Sequence, residues 1–139
     1  MTVVTRKIAF STSAGTDIID LTPEVTDALA KSGLAAGTVT VFCPGATGAV
    51  TTVEFEPGLV NDLKAFFERI APAGARYEHN ERWKDGNGHS HVRASLVGPS
   101  LTVPFAESRL LLGRWQQSIF IDFDVRSRDR EIVLQFMGG

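Results

Sequence analysis

Segments that alternate apolar and polar residues outnumber helical segments in this chain, and they restrict its fold more than any other feature. Two C-terminal segments, SIFIDFDV and EIVLQF, each place three large apolar residues on one strand face. These are Ile119, Ile121 and Phe123, and Ile132, Leu134 and Phe136. Further strand candidates are RKIAFSTS, DIIDL, TVTVFC, AVTTVEF, RASLVG and LTVPF. Because strands and helices do not alternate regularly, the pattern predicts an α+β fold, a largely antiparallel β-sheet packed with two helices.

The two predicted helices have recognisable starting signals. Thr22 is a good N-cap, Pro23 suits the first helical position, and Gly33 supplies a stop. The second helix is expected to begin after Pro57-Gly58. Its apolar residues recur at helical spacing and are interpreted as core: Leu59, Val60, Leu63, Phe66, Phe67 and Ile70.

Length and charge narrow the class of protein. A chain of 139 residues is expected to form one domain, residues 1–139. The net charge of -2 comes without any cluster of Lys or Arg, so no nucleic-acid partner is expected. No run of about 18 apolar residues is present, so no membrane partner is expected, and a cytoplasmic location is predicted. The one cysteine, Cys43, cannot form an internal disulfide and is interpreted as a small buried residue.

The chain's three histidines are the main candidates for chemistry. His89 and His91 would project from one face if their segment, RWKDGNGHSHVRASLVG, is extended. His79 would join them if the glycine-rich turn closes a hairpin. Three imidazoles with an open fourth position suit zinc and related divalent ions, and Asp85 could add an oxygen ligand or orient a histidine. The alternative is that the histidines are ordinary surface or hydrogen-bonded residues.

Other polar residues have weaker signals. Glu54 and Glu56 share a strand face, which alternation explains as solvent-exposed, although Glu54 could also act as a ligand or general acid/base. Arg93, with Ser95 and Ser100, could bind a phosphate group. Neither glycine-rich nucleotide motif is present.

Several ordered motifs together resemble the YjbQ family, whose members are named secondary thiamine-phosphate synthase enzymes. They are YEHN, then DGNGHSHVRASLVGPSLTVPF, then LLLGRWQQSIFIDFD, and an arginine-rich turn before EIVLQF. The resemblance covers nearly the whole chain and is strongest between Tyr77 and Gln135. It implies the YjbQ-like α+β fold, a homotrimer and a metal-associated polar cleft.

The resemblance also suggests roles for particular residues. His79 and His91 match the family's histidine positions, and some members share His89. Glu54 matches an acidic position, Arg93 a basic one, and Trp115-Gln116 an element reading G-T-W-Q. In one departure, Gly45 stands where many members have a histidine. If that histidine is needed, this chain uses His89 instead or lacks the activity.

These implications combine into an expected function. His79, His89 and His91 would hold a divalent metal ion, zinc or magnesium, while Glu54, His79 and Arg93 would be catalytic, with Arg93 on the phosphate of a small-molecule substrate. The reaction would be thiamine-phosphate synthase-type transfer. The alternatives are a metal-assisted hydrolase of a phosphorylated small molecule and a non-catalytic trimeric small-molecule or ion-binding protein.

Overall fold

A computed structural model describes all residues, 1–139, and contains eight strands. They are β1 (Thr2–Ser11), β2 (Asp17–Asp20), β3 (Gly37–Phe42), β4 (Gly48–Val53), β5 (Ser100–Ala106), β6 (Arg109–Leu110), β7 (Gln117–Asp122) and β8 (Asp129–Gly138). A five-stranded sheet has the order β1-β8-β3-β5-β6, and a three-stranded sheet has the order β2-β7-β4. Every paired strand is antiparallel, as predicted.

The structure has four helices where the sequence predicted two. They are α1 (Thr22–Ser32), α2 (Pro57–Ile70), α3 (Glu78–Trp83) and α4 (Gly88–Val97). Gly33 ends α1 in the left-handed conformation, as expected from its position. Thr22 was the predicted N-cap of α1, but the N-cap is the preceding residue, Leu21. The Thr22 hydroxyl instead accepts a hydrogen bond from the Ser118 N–H. None of the helices is both long enough and apolar enough to cross a membrane.

Alternation along β7 places the three-stranded sheet between two cores. Phe120 packs into the larger core with residues of α1, β3, β5 and β8. Ile119, Ile121 and Phe123 point the other way, into a smaller core with Phe67 of α2 and Ala94 of α4. The predicted shared faces of β7 and β8 are confirmed, since their six large apolar residues are all buried. The sheet is therefore covered on one face by α2 and α4.

The predicted core face of α2 is partly wrong. Phe66 and Ile70 are 44% and 45% exposed, whereas Phe67 is buried against Phe123 with ring centroids 4.8 Å apart. Val60 and Leu63 pack at the edge of the same core. The helix is rotated so that a neighbouring stripe faces the sheet, because the sheet's own apolar residues decide which face is buried.

The largest correction concerns residues 82–105, which were predicted to be extended through His89 and His91. Residues 78–83 and 88–97 are helical, and only the part from Ser100 onward is a strand. Gly88 allows α4 to start close to the beginning of α3, since a Cβ added at Gly88 would lie only 2.5 Å from the Tyr77 Cβ. The Asn80 side chain also accepts a hydrogen bond from the Gly88 N–H at 2.8 Å.

Candidate functional site

The candidate site lies where β7 ends, beside the loop between β3 and β4 and the start of α4. Gly48 at the beginning of β4 pairs with Asp122 at the end of β7. We call residues 44–48 the Gly45 loop. A cavity of about 170 Å³ separates this loop from α4; its lining residues are Gly45, Ala46, Gly48, His91, Ala94, Ser95 and Pro99.

Asp122, the last residue of β7, carries a fully buried carboxylate. It accepts two hydrogen bonds from Arg130, from Nε at 2.7 Å and from Nη2 at 2.8 Å, and one from the Thr12 hydroxyl at 2.7 Å. Burial opposes its ionisation, but these bonds hold the pKa of Asp122 below its ordinary value. The pair fixes the orientation of the Arg130 guanidinium.

Asp124, two residues further on, joins three parts of the chain. It accepts from the Thr47 hydroxyl at 3.0 Å, from Asn87 Nδ2 at 3.2 Å and from Arg128 Nε at 3.1 Å. Burial again opposes ionisation, yet the hydrogen bonds lower the pKa of Asp124 to about 2. The carboxylate therefore ties the Gly45 loop to the start of α4.

His79 and His91 come together, although not by the predicted hairpin. They extend from α3 and α4, and their ring centroids are 4.4 Å apart. His79 Nδ1 lies 3.6 Å from Asp85 Oδ1 in the turn between the helices. Burial, and then the neighbouring His79, lower the pKa of His91, while Asp85 and Asp124 oppose the shift. His91 is consequently neutral at pH 7 and able to accept a proton.

His89 does not share this face. Two residues along a helix are separated by about 200° around its axis, so His89 and His91 point to opposite sides of α4. The His89 ring is buried, lies 6.3 Å from the Tyr77 ring, and has no hydrogen-bond partner at Nδ1. Burial, and then Arg93, lower its pKa. The prediction of one histidine face is therefore wrong, since it required a strand.

The placement of the histidines bears on the predicted metal ion. No group of three or more His, Cys, Asp and Glu side chains is arranged to hold a metal. His79 and His91 supply two neighbouring imidazoles, but His89 cannot complete the set from the other side of α4. The residues of one chain thus do not form the predicted three-histidine site.

Arg93 is also placed away from the cleft. It is 4% exposed, and its Nε donates to the Ala71 carbonyl at 2.9 Å. Its remaining nitrogens donate to the Thr16 hydroxyl at 3.2 Å and the Glu68 carboxylate at 2.8 Å. These contacts join α4 to the end of α2. Because the guanidinium of Arg93 is held there, it does not reach a ligand bound beside His79 and His91.

Glu54 and Trp115 lie at the opposite end of the three-stranded sheet. Val53 at the end of β4 pairs with Gln117 at the start of β7, and Glu54 is six residues beyond Gly48, the last residue of the Gly45 loop. At about 3.3 Å per residue this separation is about 20 Å. Glu54 and Trp115 line a separate surface pocket with Phe55 and Arg114. Within one chain, Glu54 does not reach the histidines.

Sequence reasoning missed the residues that hold the site together: Thr47, Asn87, Asp122, Asp124, Arg128 and Arg130. One signal was available, since IDFD places two carboxylates at the end of a strongly apolar strand, where burial requires partners. The arginines that follow in VRSRDR supply them.

The fold and the cleft define a small α+β protein whose polar site lies between two helices and the end of a three-stranded sheet. The chain belongs to the YjbQ family: the family model described as UPF0047 protein YjbQ-like matches residues 6–139. A UPF0047 protein of Methanothermobacter thermautotrophicus is 36% identical over 138 residues, covering 99% of this chain and 94% of that protein. The UPF0047 protein YugU of Bacillus subtilis is 31% identical, covering 96% and 98%.

Solved structures agree on the fold. The crystal structure of a YbjQ-like protein of unknown function from Sulfolobus solfataricus has a TM-score of 0.94 at 27% identity, with 99% of each chain covered. A YjbQ/UPF0047 family protein from Clostridium acetobutylicum has a TM-score of 0.87 at 32% identity, covering 95% of this chain and 99% of that one. The predicted family and the α+β, YjbQ-like fold are therefore confirmed.

Proposed function

We propose that this chain is an enzyme acting on a phosphorylated small molecule, with His79 and His91 as its acid/base pair. The observation that carries the proposal is the contact between two imidazoles from separate helices, 4.4 Å apart between ring centroids, beside an open cavity. Asp85 lies next to one imidazole, and burial keeps the other neutral at pH 7. Two neighbouring titratable groups in different surroundings are suited to opposite proton-transfer roles.

Within this class we propose thiamine-phosphate synthase-type transfer as the first reaction to test. In this reaction a thiazole nitrogen forms a bond to the methylene carbon of a pyrimidine methyl diphosphate, the carbon–oxygen bond breaks, and pyrophosphate leaves with the electron pair. The family resemblance supports this choice. A proton donor near the departing diphosphate would stabilise it, and we assign that role to His79, whose Nδ1 lies 3.6 Å from the Asp85 carboxylate.

Hydrolysis of a phosphorylated small molecule is the second candidate. The cavity of about 170 Å³ between the Gly45 loop and α4 has room for a phosphate group beside His91. Neutral His91 would accept a proton from the attacking water, and the His79 imidazole would donate one to the departing oxygen.

Product analysis separates these candidates. The purified protein is incubated with the two thiamine precursors together, and separately with a set of phosphate monoesters. A carbon–nitrogen coupled product supports transfer, whereas free inorganic phosphate from one substrate supports hydrolysis. A bound but chemically unchanged ligand supports the non-catalytic binding protein instead.

Two variants test the histidine roles. His79→Asn and His91→Asn are each expected to lower kcat about 100-fold or more, whereas the exposed Asp62→Asn is the unchanged control. Because its folded pKa is lowered, His91 remains neutral until the pH falls below its ordinary value of 6.5. Activity that needs neutral His91 is therefore lost on the acidic side of that pH. Full activity in both histidine variants would contradict the proposed roles.

The predicted divalent ion requires its own test, since one chain does not assemble three ligands. Elemental analysis after dialysis, with and without chelator, is compared between the unaltered protein and His79→Asn/His91→Asn. Stoichiometric zinc or magnesium that the double variant loses would support a metal held by this pair. Absence of metal from both proteins would exclude it under those conditions and leave acid/base catalysis by the imidazoles alone.

We also propose that the protein is a homotrimer in the cytoplasm. The resemblance to the family supports the trimer, and so do large apolar side chains left exposed on one chain. Phe55, Phe66, Ile70 and Trp115 are between 41% and 65% exposed.

A further inference from the structure

The Gly45 loop has free hydrogen-bond donors that the acid/base chemistry does not use. The backbone N–H groups of Gly45, Ala46 and Thr47 donate to no acceptor within the chain. The loop is nonetheless held at both ends, because the Cys43 N–H donates to the Pro99 carbonyl and the Thr47 carbonyl accepts from the Phe123 N–H. Three successive free amides in an anchored loop are donors suited to an oxyanion.

Arg130 brings a further donor to the same place. Its Nε and Nη2 are occupied by Asp122 and the Thr47 hydroxyl, but Nη1 has no hydrogen bond within the chain. The side chain is only 12% exposed. A Cβ added at Gly45 would lie 3.3 Å from Nη1, so this nitrogen faces the space beside the loop. Nη1 itself remains accessible to solvent, so an anionic group entering beside the loop can accept a hydrogen bond from it.

The cavity beside the loop limits what the ligand can be. Gly45 and Ala46 line one side, and His91 and Ser95 line the other. The Ser95 hydroxyl already donates to the His91 carbonyl at 2.8 Å, so it can only accept. Asp122 offsets the charge of Arg130, which favours a compact group bound by several hydrogen bonds over one held by net charge.

We propose that Arg130 Nη1 and the Gly45 loop amides bind the phosphate group of the substrate next to Gly45, the residue that also lines the cavity beside His91. This inference rests on the proposed function and names the residues that recognise the phosphate. Arg130, which the sequence interpretation passed over, takes the role expected of Arg93. The absence of a side chain at Gly45 is what leaves Nη1 accessible.

A single methyl group tests the subsite. Gly45 does not have a positive φ, so Gly45→Ala introduces no backbone strain, but its Cβ comes against Nη1. Gly74→Ala is the matched control, because position 74 also lacks a positive φ and its Cβ meets no atom within 4 Å. Inorganic phosphate and pyrophosphate are titrated by calorimetry, and the amides of residues 45–47 are followed by ¹⁵N NMR.

The unaltered protein and Gly74→Ala are expected to bind alike, with shifts at the three loop amides. Gly45→Ala is expected to bind about tenfold more weakly, which corresponds to the loss of one charge-assisted hydrogen bond, at an unchanged Tm. Equal binding by Gly45→Ala would overturn the proposal. So would the absence of loop shifts at about 10 mM phosphate, well above an ordinary KM.

These binding measurements do not require catalysis, so the phosphate subsite and the proposed enzyme can be refuted independently of each other. Phosphate bound at the loop without any product would refute the enzyme and leave the subsite intact. Catalysis that depends on His79 and His91, with KM unchanged in Gly45→Ala, would refute the subsite and leave the enzyme intact.

Discussion

Asp124 determines the shape of the cleft more directly than either histidine. It is 1% exposed and accepts hydrogen bonds from three side chains on three separate segments. A buried carboxylate of this kind is stabilising only while all its partners remain in place. We expect its loss to loosen the Gly45 loop and the start of α4 together.

Asp124→Asn should lower the free energy of unfolding by about 2 kcal/mol, the equivalent of a pKa shift from 3.8 to about 2. Because the folded pKa lies below the unfolded one, the stabilisation is complete above about pH 4 and is lost as pH falls toward 2. Urea unfolding at pH 7 and pH 3 measures both effects. The exposed Asp62→Asn is the control, and an equal loss there would contradict this assignment.

The histidines illustrate what a local pattern leaves open at this scale. The sequence interpretation grouped all three histidines by an argument that required a strand, and the structure brings only His79 and His91 together. In a helix the His-x-His spacing separates the two rings, and His91 meets His79 only because α3 and α4 pack together. Which partners surround a histidine depends on tertiary contacts that spacing alone does not contain.

Helix α2 shows how an element can be predicted while its orientation is not. Its apolar character was evident and its start was predicted just after Pro57-Gly58, within two residues of the observed start at Pro57, but two adjacent apolar stripes compete for the sheet. The T-shaped contact between Phe67 and Phe123 decides between them. Phe66 remains on the surface, where its ring lies 5.8 Å from the Arg69 guanidinium.

Neighbouring phenylalanines therefore provide a matched pair. Phe67→Ala should lower the free energy of unfolding by about 3–5 kcal/mol, because it leaves a cavity between α2 and β7. Phe66→Ala should cost less than about 1 kcal/mol, since the ring is already 44% exposed. Thermal unfolding of the two variants ranks them, and the reverse order would mean that α2 is rotated differently in solution.

At the scale of the whole molecule, the α+β class was predictable because apolar alternation identified most strands. The cleft was not, because its network joins residues far apart in the chain. Thr12 and Asp122 are 110 positions apart, and Thr47 and Asp124 are 77 apart. No local pattern encodes which carboxylate meets which hydroxyl over such separations.

The trimer predicted by family resemblance belongs to this scale. Light scattering coupled to size-exclusion chromatography should give a mass of about 45 kDa, three times the 15.1 kDa of one chain. Trp115→Ala, which shortens a side chain that is 65% exposed, tests whether that surface contributes to assembly. A mass of one chain across micromolar concentrations would contradict the prediction.

The position of β8 has a consequence for how the molecule is made. It lies between β1 and β3 in the larger sheet, and it pairs with β1 along ten residues that begin with Thr2 and Gly138. Although β8 follows the seven other strands along the chain, it lies in the middle of the sheet, so β1 and β3 each keep an unpaired edge until residues 129–138 have been synthesised. Contacts of such long range make folding slow and keep apolar edges open to aggregation during translation. The same late segment carries Arg130, so the phosphate subsite and the sheet become complete in one step.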